Sequence, residues 1–251
     1  MNSNIIKRSH FDIIHTITNT SIFKIIKFLD IIFKSYEKII IIDVGCALGD
    51  FSFFLQHLNK FSIGIDPLIN YYRKQKNSKL SNYNSLYDVA IDINTEDKLF
   101  NITKSKDTSS LYNFNNKNLT TDKCIIDKFY IPIDYLHHIT DIIEQRNVKC
   151  MTLQLLIEIS NLKDDIIHIL KVDAQGNDLN VIKSGEIYLK NIMFIVMESN
   201  SDTTSTLYEN TTKFTEDYEY LKLHNFELIT KEILLRDDYD CLYYNKGLIS
   251  E

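Results

Sequence analysis

Apolar residues along the chain switch repeatedly between a helical and a strand period. Ile22, Ile25, Ile26, Leu29 and Phe33 recur at helical spacing and predict an amphipathic helix over 20–37, with Thr20 or Ser21 able to cap its start. Four β-branched residues, Ile39 to Ile42, then predict a strand buried on both faces, as in a parallel sheet. The chain turns through Asp43-Val44-Gly45-Cys46-Ala47-Leu48-Gly49 into Asp50 to Asn59, where Phe51, Phe54, Leu55 and Leu58 share one helical face. Phe61 to Ile65 predicts a second strand. Pro67 closes it, because its ring removes a ladder donor. A helix over Leu68 to Lys79 and a third strand over Tyr87 to Ile91 continue the alternation of a right-handed doubly wound unit.

Residues 92–165 are less regular. Lys98 to Thr103 predicts a short strand, Asp107 to Asn118 a polar loop, and Tyr130 to Ile133 another strand. A helix is expected over Tyr135 to Gln145, a strand over Val148 to Leu153, and a helix over Gln154 to Asn161. The alternation resumes with a strand at Ile166 to Val172, a helix at Leu179 to Leu189, an apolar strand at Met193 to Met197 and a helix at Thr211 to His224. Phe226 to Leu234 and Cys241 to Tyr244, around Arg236-Asp237-Asp238, predict an antiparallel hairpin. The fold class is therefore α/β. With no internal repeat or Pro/Gly-rich linker, the expected organisation is a helical flank over 1–38 and one domain over 39–251.

Composition narrows the class. The 251 residues hold 44% hydrophobic and 25% charged side chains, with only 6 Gly and 2 Pro, which excludes global disorder and collagen-like repeats. The richness in Ile, Asn and Lys matches the codon usage of an AT-rich genome. A net charge of −6 argues against a broad nucleic-acid surface. Cys46, Cys124, Cys150 and Cys241 form no CxxC pair, so reduced thiols are expected rather than a zinc site or disulfide framework. No signal peptide is evident, and Lys24, Lys27 and Asp30 interrupt the most membrane-like stretch. The expectation is a cytoplasmic protein with no membrane partner; the oligomeric state is open.

The candidate chemistry lies where strands end. Asp43-x-Gly45-x-x-x-Gly49 sits between a buried strand and a helix. Glycine allows a sharp turn and close approach to a ligand, and the helix start offers free N–H groups. Asp66 falls at the roughly 20-residue distance from Gly45 at which an acid on the next strand binds ribose hydroxyls. A dinucleotide would favour G-x-G-x-x-G, and a leading Asp43 would repel its pyrophosphate. Asp43 instead suits the amino group of a methionine-type moiety, which favours S-adenosylmethionine. A tight turn without a ligand is the plain alternative.

Ile42 to Ser52 resembles the S-adenosylmethionine-binding turn of class I methyltransferases. Leu170-Lys171-Val172-Asp173-Ala174-Gln175-Gly176-Asn177-Asp178-Leu179, running on to Ser184, resembles the K-I-D-x-x-G-x-(D/E)-x-x-V-L stretch of the FkbM-type family, and Ile195 to Glu198 resembles its following strand. Weaker echoes are Ala90-Ile91-Asp92, Ser109-Ser110-Leu111 and Thr152-Leu153. The likeness covers residues 39–200 in blocks. Cys46-Ala47 stands where the family usually has Ala-Asn, Asp66 where it usually has Glu, and Gln154 where an Asp often follows Thr-Leu.

This resemblance implies a Rossmann-like class I methyltransferase fold: a seven-stranded, mostly parallel sheet of order 3-2-1-4-5-7-6 with a C-terminal antiparallel hairpin. It also implies S-adenosylmethionine-dependent O-methylation of a sugar, glycan or other small hydroxylated acceptor. Asp43, Gly45, Cys46, Gly49, Asp66, Pro67, Ala90 and Ser110 would then face the cofactor. Asp173, after the fourth strand, and Glu198, after the fifth, are the candidate bases, at the sheet edge where open α/β sheets bind ligands. Lys171 shares the face of Asp173 and could depress its pKa or orient a substrate oxygen. Asp173, Glu198 and Asn200 could together hold a Mg²⁺ that acidifies a hydroxyl. Two rivals are an RNA 2′-O-methyltransferase, which the net charge opposes, and a catalytically silent binding module of the same fold.

Overall fold

The structure is a computed structural model that describes residues 22–115, 133–203, 206–233 and 238–249. The capping residues Thr20 and Ser21, most of the strand expected at 130–133, and Arg236-Asp237 lie outside the described residues.

Helix α1, Ile22–Phe33, leads into β1, Ile39–Val44, then α2, Asp50–Phe54, β2, Lys60–Ile65, α3, Ile69–Tyr72, and β3, Ser85–Tyr87. A central region holds β4, Ala90–Ile91, β5, Lys98–Thr103, α4, Ile133–Thr140, β6, Ile142–Val148, β7, Cys150–Met151, and α5, Leu153–Ile159. The last third holds β8, Ile167–Val172, α6, Asp178–Lys183, β9, Ile192–Ser199, α7, Phe214–Leu223, β10, Phe226–Ile233, and β11, Tyr239–Asn245.

Seven strands form one sheet in the order β10-β11-β9-β8-β1-β2-β3. Pairings from β3 through β9 are parallel, while β11 runs antiparallel to both β9 and β10. Renumbered by their order within this sheet, the strands follow 3-2-1-4-5-7-6.

Every residue of β1 is buried, as its isoleucine run requires. Ile42 and Val44 face a core shared with Leu153, Leu156, Val181 and Ile182. Ile39 and Ile41 face the opposite core, where α1 supplies Ile25, Phe28, Leu29, Ile32 and Phe33. Phe28 and Phe33 meet Phe194 of β9 edge-on, at 6.2 and 5.7 Å between ring centres. Each such fully buried side chain contributes about 1.5–3 kcal/mol. Among the described residues, no helix is long and apolar enough to cross a membrane.

Several expected elements differ. The helix expected over Asp50 to Asn59 stops at Phe54, because Gln56 N and Leu58 N turn to the carbonyls of Phe53 and Leu55, three and not four residues back. The helix expected over Leu68 to Lys79 shortens to Ile69–Tyr72 for the same reason. The third strand is split: Ser85–Tyr87 joins the main sheet, while Ala90–Ile91 pairs with Cys150–Met151. Helical periodicity misreads 142–145, which belong to β6, a strand antiparallel to β5; strand pairing overrides local propensity there. The helix expected over Leu179 to Leu189 breaks at Gly185, where a Cβ would lie 2.7 Å from the Leu153 side chain.

Candidate functional site

The turn after β1 is shaped first by packing. Gly45 has φ +73°, and a Cβ there would fall 1.9 Å from the carbonyl oxygen of Asp173. Only glycine lets the ends of β1 and β8 approach this closely. Gly45 N and Cys46 N donate to Ile65 O at 2.8 and 3.1 Å, which ties the turn to β2. Gly49, at φ +89°, packs on backbone too: its Cβ would lie 3.0 Å from the Lys79 carbonyl carbon.

Beneath the turn lies a buried ion network. Lys171 Nζ donates to Gly45 O at 2.7 Å and lies 3.2 Å from Asp43 Oδ1 and 3.5 Å from Asp173 Oδ2. The Tyr83 hydroxyl donates to Asp43 Oδ2. Burial would lower the Lys171 pKa, but the Asp43 and Asp173 charges outweigh it and raise the pKa, so the ammonium stays charged. Burial raises Asp43, against the pull of Lys171 and Tyr83. Burial also raises the Cys46 thiol well above its usual range, helped by Asp43 and Asp66, which leaves it protonated and a poor nucleophile.

Asp66 closes the adjoining wall. Its Oδ1 accepts from Leu68 N at 2.7 Å and its Oδ2 from Ala47 N at 3.1 Å. Burial lifts its pKa to about 6 despite these two N–H donors.

The third wall is the turn after β8. Asp178, at the start of α6, accepts from Ala174 N at 2.9 Å and Gly176 N at 3.1 Å, closing a loop in which Gln175 and Gly176 both have positive φ. Gln175 Nε2 donates to Asp173 Oδ1 at 2.7 Å, and Tyr208 donates to Gln175 Oε1 at 2.8 Å. Asn177 Nδ2 donates to Ile91 O at 3.0 Å, which docks this turn against the short strand β4.

The three walls enclose one cavity of about 550 Å³ at the carboxyl edge of the parallel strands. Asp43, Gly45 and Cys46 line it from the first turn, Asp66, Pro67 and Ala90 from the second wall, and Lys171 and Asp173 from the third. Apolar surface comes from Leu68, Ile91, Phe100 and Leu111, and also from Ile22, Phe23 and Ile26 of α1 with Phe54 of α2.

Four other predicted positions do not line the cavity. Gly49 is turned into its contact with Lys79. Ser110 is buried and donates to Gln175 O at 2.7 Å, while its neighbour Ser109 does line the cavity. β9 runs two residues past the predicted end at Met197, so Glu198 lies inside the strand, opposite Asp240 of β11. Asn200 donates to Thr212 O at 3.1 Å. Asp173, Glu198 and Asn200 are therefore not gathered around the cavity as a ligand set, and no group of three or more His, Cys, Asp or Glu side chains among the described residues is placed to hold a metal ion.

His168, inside β8, accepts from Ile40 N at 3.1 Å, and burial lowers its pKa to about 4.

The sequence pattern did not single out Lys106 and Asp107, which line the cavity from the loop after β5. Their nearness to Ser109-Ser110-Leu111, already marked by resemblance, was the available signal. Tyr72 reads as a packing residue, and it is buried, but its hydroxyl also donates to Asp107 Oδ1 at 3.2 Å.

No curated protein matches the chain. Residues 43–228, from the end of β1 into β10, match the family described as the methyltransferase FkbM domain, and the chain belongs to that family of methyltransferases.

Proposed function

We propose that the chain binds S-adenosylmethionine in this cavity and methylates a hydroxyl oxygen of a sugar, glycan or other small hydroxylated acceptor. The observation that carries this reading is that Asp66, the turn after β1 and the turn after β8 open into one cavity of about 550 Å³, within the range of small-molecule sites. When bound, S-adenosylmethionine supplies a methyl group already activated on a sulfonium.

The residues present suit that cofactor. Each oxygen of Asp66 accepts one backbone N–H and keeps a further lone pair for a ribose hydroxyl. Leu68, Ala90, Ile91 and Phe100 offer an apolar seat for a purine ring. The carboxylates of Asp43, Asp66 and Asp173 favour a cationic ligand over a pyrophosphate. The acceptor side falls to the wall of Lys106, Asp107, Asp173 and Gln175, which can orient hydroxyls by hydrogen bonds. Lys171 acts on this wall by fixing Asp173 and the Gly45 carbonyl together.

The test is transfer of labelled methyl from S-adenosylmethionine to a panel of glycans, small alcohols and RNA. Label recovered in an ether linkage on a glycan or small alcohol supports the proposal. Label recovered on nitrogen or carbon, or only on RNA, would overturn the choice of acceptor.

A further inference from the structure

A methyl transfer to a neutral hydroxyl needs a group that takes its proton, and two described carboxylates line the acceptor wall. Asp173 is already engaged on both oxygens: Oδ1 accepts from Gln175 at 2.7 Å, and Oδ2 faces the buried ammonium of Lys171 at 3.5 Å. Both oxygens are thus committed to orienting the turn after β8 and the ion network beneath it.

Asp107 differs. One oxygen, Oδ1, accepts the Tyr72 hydroxyl at 3.2 Å, and Oδ2 has no partner among the described residues. Its neighbour Lys106 does not pair with it. That ammonium donates to Thr103 O at 2.9 Å and lies 5.6 Å over the Tyr71 ring. Asp107 lines the cavity and is also exposed to solvent, so a proton taken inside has a path to water.

We infer that Asp107 is the general base of the reaction, with Tyr72 as its positioning residue. This rests on the methyl-transfer reading above. Asp107 takes the acceptor's O–H proton as that oxygen bonds the methyl carbon and the sulfur–carbon bond breaks. The pair left on sulfur gives neutral S-adenosylhomocysteine, and Asp107, now a neutral acid, returns its proton to solvent. Partial burial raises its pKa, and the Asp173 charge adds to the rise, while Tyr72 and His138 of α4 oppose it. A base of raised pKa is the stronger one.

The test needs no acceptor. Sinefungin carries an amine where S-adenosylmethionine carries its reactive methyl, whereas S-adenosylhomocysteine carries nothing there. A carboxylate beside the reacting carbon prefers the ammonium of sinefungin. Calorimetry on the intact protein should show Asp107→Asn losing about tenfold or more in sinefungin affinity, with S-adenosylhomocysteine affinity within about twofold. Asp107→Glu should recover part of the preference. Tyr72→Phe should lose a smaller part of it, with circular dichroism confirming that each variant folds. In the wild type the preference should fade as pH drops through the Asp107 pKa, and Asp107→Asn should remove that dependence.

Equal losses for both ligands, or a selective loss in Asp173→Asn and not in Asp107→Asn, would overturn the assignment. A wild type that binds neither ligand would overturn the methyl-transfer reading itself.

Discussion

Replacing Lys171 by methionine isolates the ion pair that joins the two halves of the site. The substitution keeps much of the side-chain volume and removes the ammonium. Lys171 is 9% exposed and Asp43 is 0% exposed, so the variant leaves a carboxylate without a counter-charge where water does not reach. Breaking a buried pair from one side costs about 3–5 kcal/mol. The charge-assisted bond to Gly45 O at 2.7 Å is part of that loss and is not added to it. Against a total of about 5–15 kcal/mol, this is a large fraction of the stability. The double variant Lys171→Met/Asp43→Asn removes the stranded charge while Tyr83 keeps an oxygen to donate to, and it should recover at least about 1.5 kcal/mol.

Urea unfolding followed by circular dichroism reads these differences. Burial raises the Asp43 pKa above its unfolded value, and removing the Lys171 charge raises it further. The loss in Lys171→Met should therefore shrink as pH falls and grow as pH rises through the folded-state pKa of Asp43. A single-variant loss below about 1 kcal/mol, or a double variant additive within about 0.5 kcal/mol, would show that Lys171 and Asp43 are not a coupled buried pair.

Gly45→Ala should destabilise by about 2–5 kcal/mol, the left-handed φ and the overlap with Asp173 O acting together, and Gly49→Ala by clearly less. Urea midpoints that rank the two the other way contradict this packing account. Ser110→Ala should lose about 1 kcal/mol, because the Gln175 carbonyl loses its donor; an unchanged melting temperature would count against that bond. Burial raises Asp66, Asp178 and Asp217 from 3.8 to about 6, 7 and 6. The fold therefore binds protons that the unfolded chain has released. Their contribution is full below pH 3.8 and is lost as pH rises through 6 to 7, so urea midpoints should fall across that window. Midpoints that rise there in a variant series limited to these three groups would contradict the sign.

The parallel sheet was legible because its strands are apolar on both faces: Ile39 to Ile42, Ile167 to Val172 and Ile192 to Met197 allow few other placements. The turns at Gly45 and Asp66 were legible from spacing. The short helices were not, since Phe54 and Tyr72 end helices through three-residue turns that leave no mark on periodicity. The strand at Ile142–Val148 was hidden for another reason. Glu144, Gln145 and Arg146 are exposed, so no alternation betrays the pairing with β5. Glu198 was misplaced by the length of β9. Asp107 carries no mark in the sequence, because the Tyr72 hydroxyl it accepts comes from α3, 35 residues earlier in the chain, and meets it only in the folded protein.

The most direct test is calorimetric titration of S-adenosylmethionine into the wild-type chain and into Asp66→Ala, with circular dichroism to establish that both are folded. One site per wild-type chain is expected, with an affinity at least about tenfold weaker in the variant, the loss of a charged hydrogen-bond acceptor. No binding by the wild type, or equal binding by both, would contradict it.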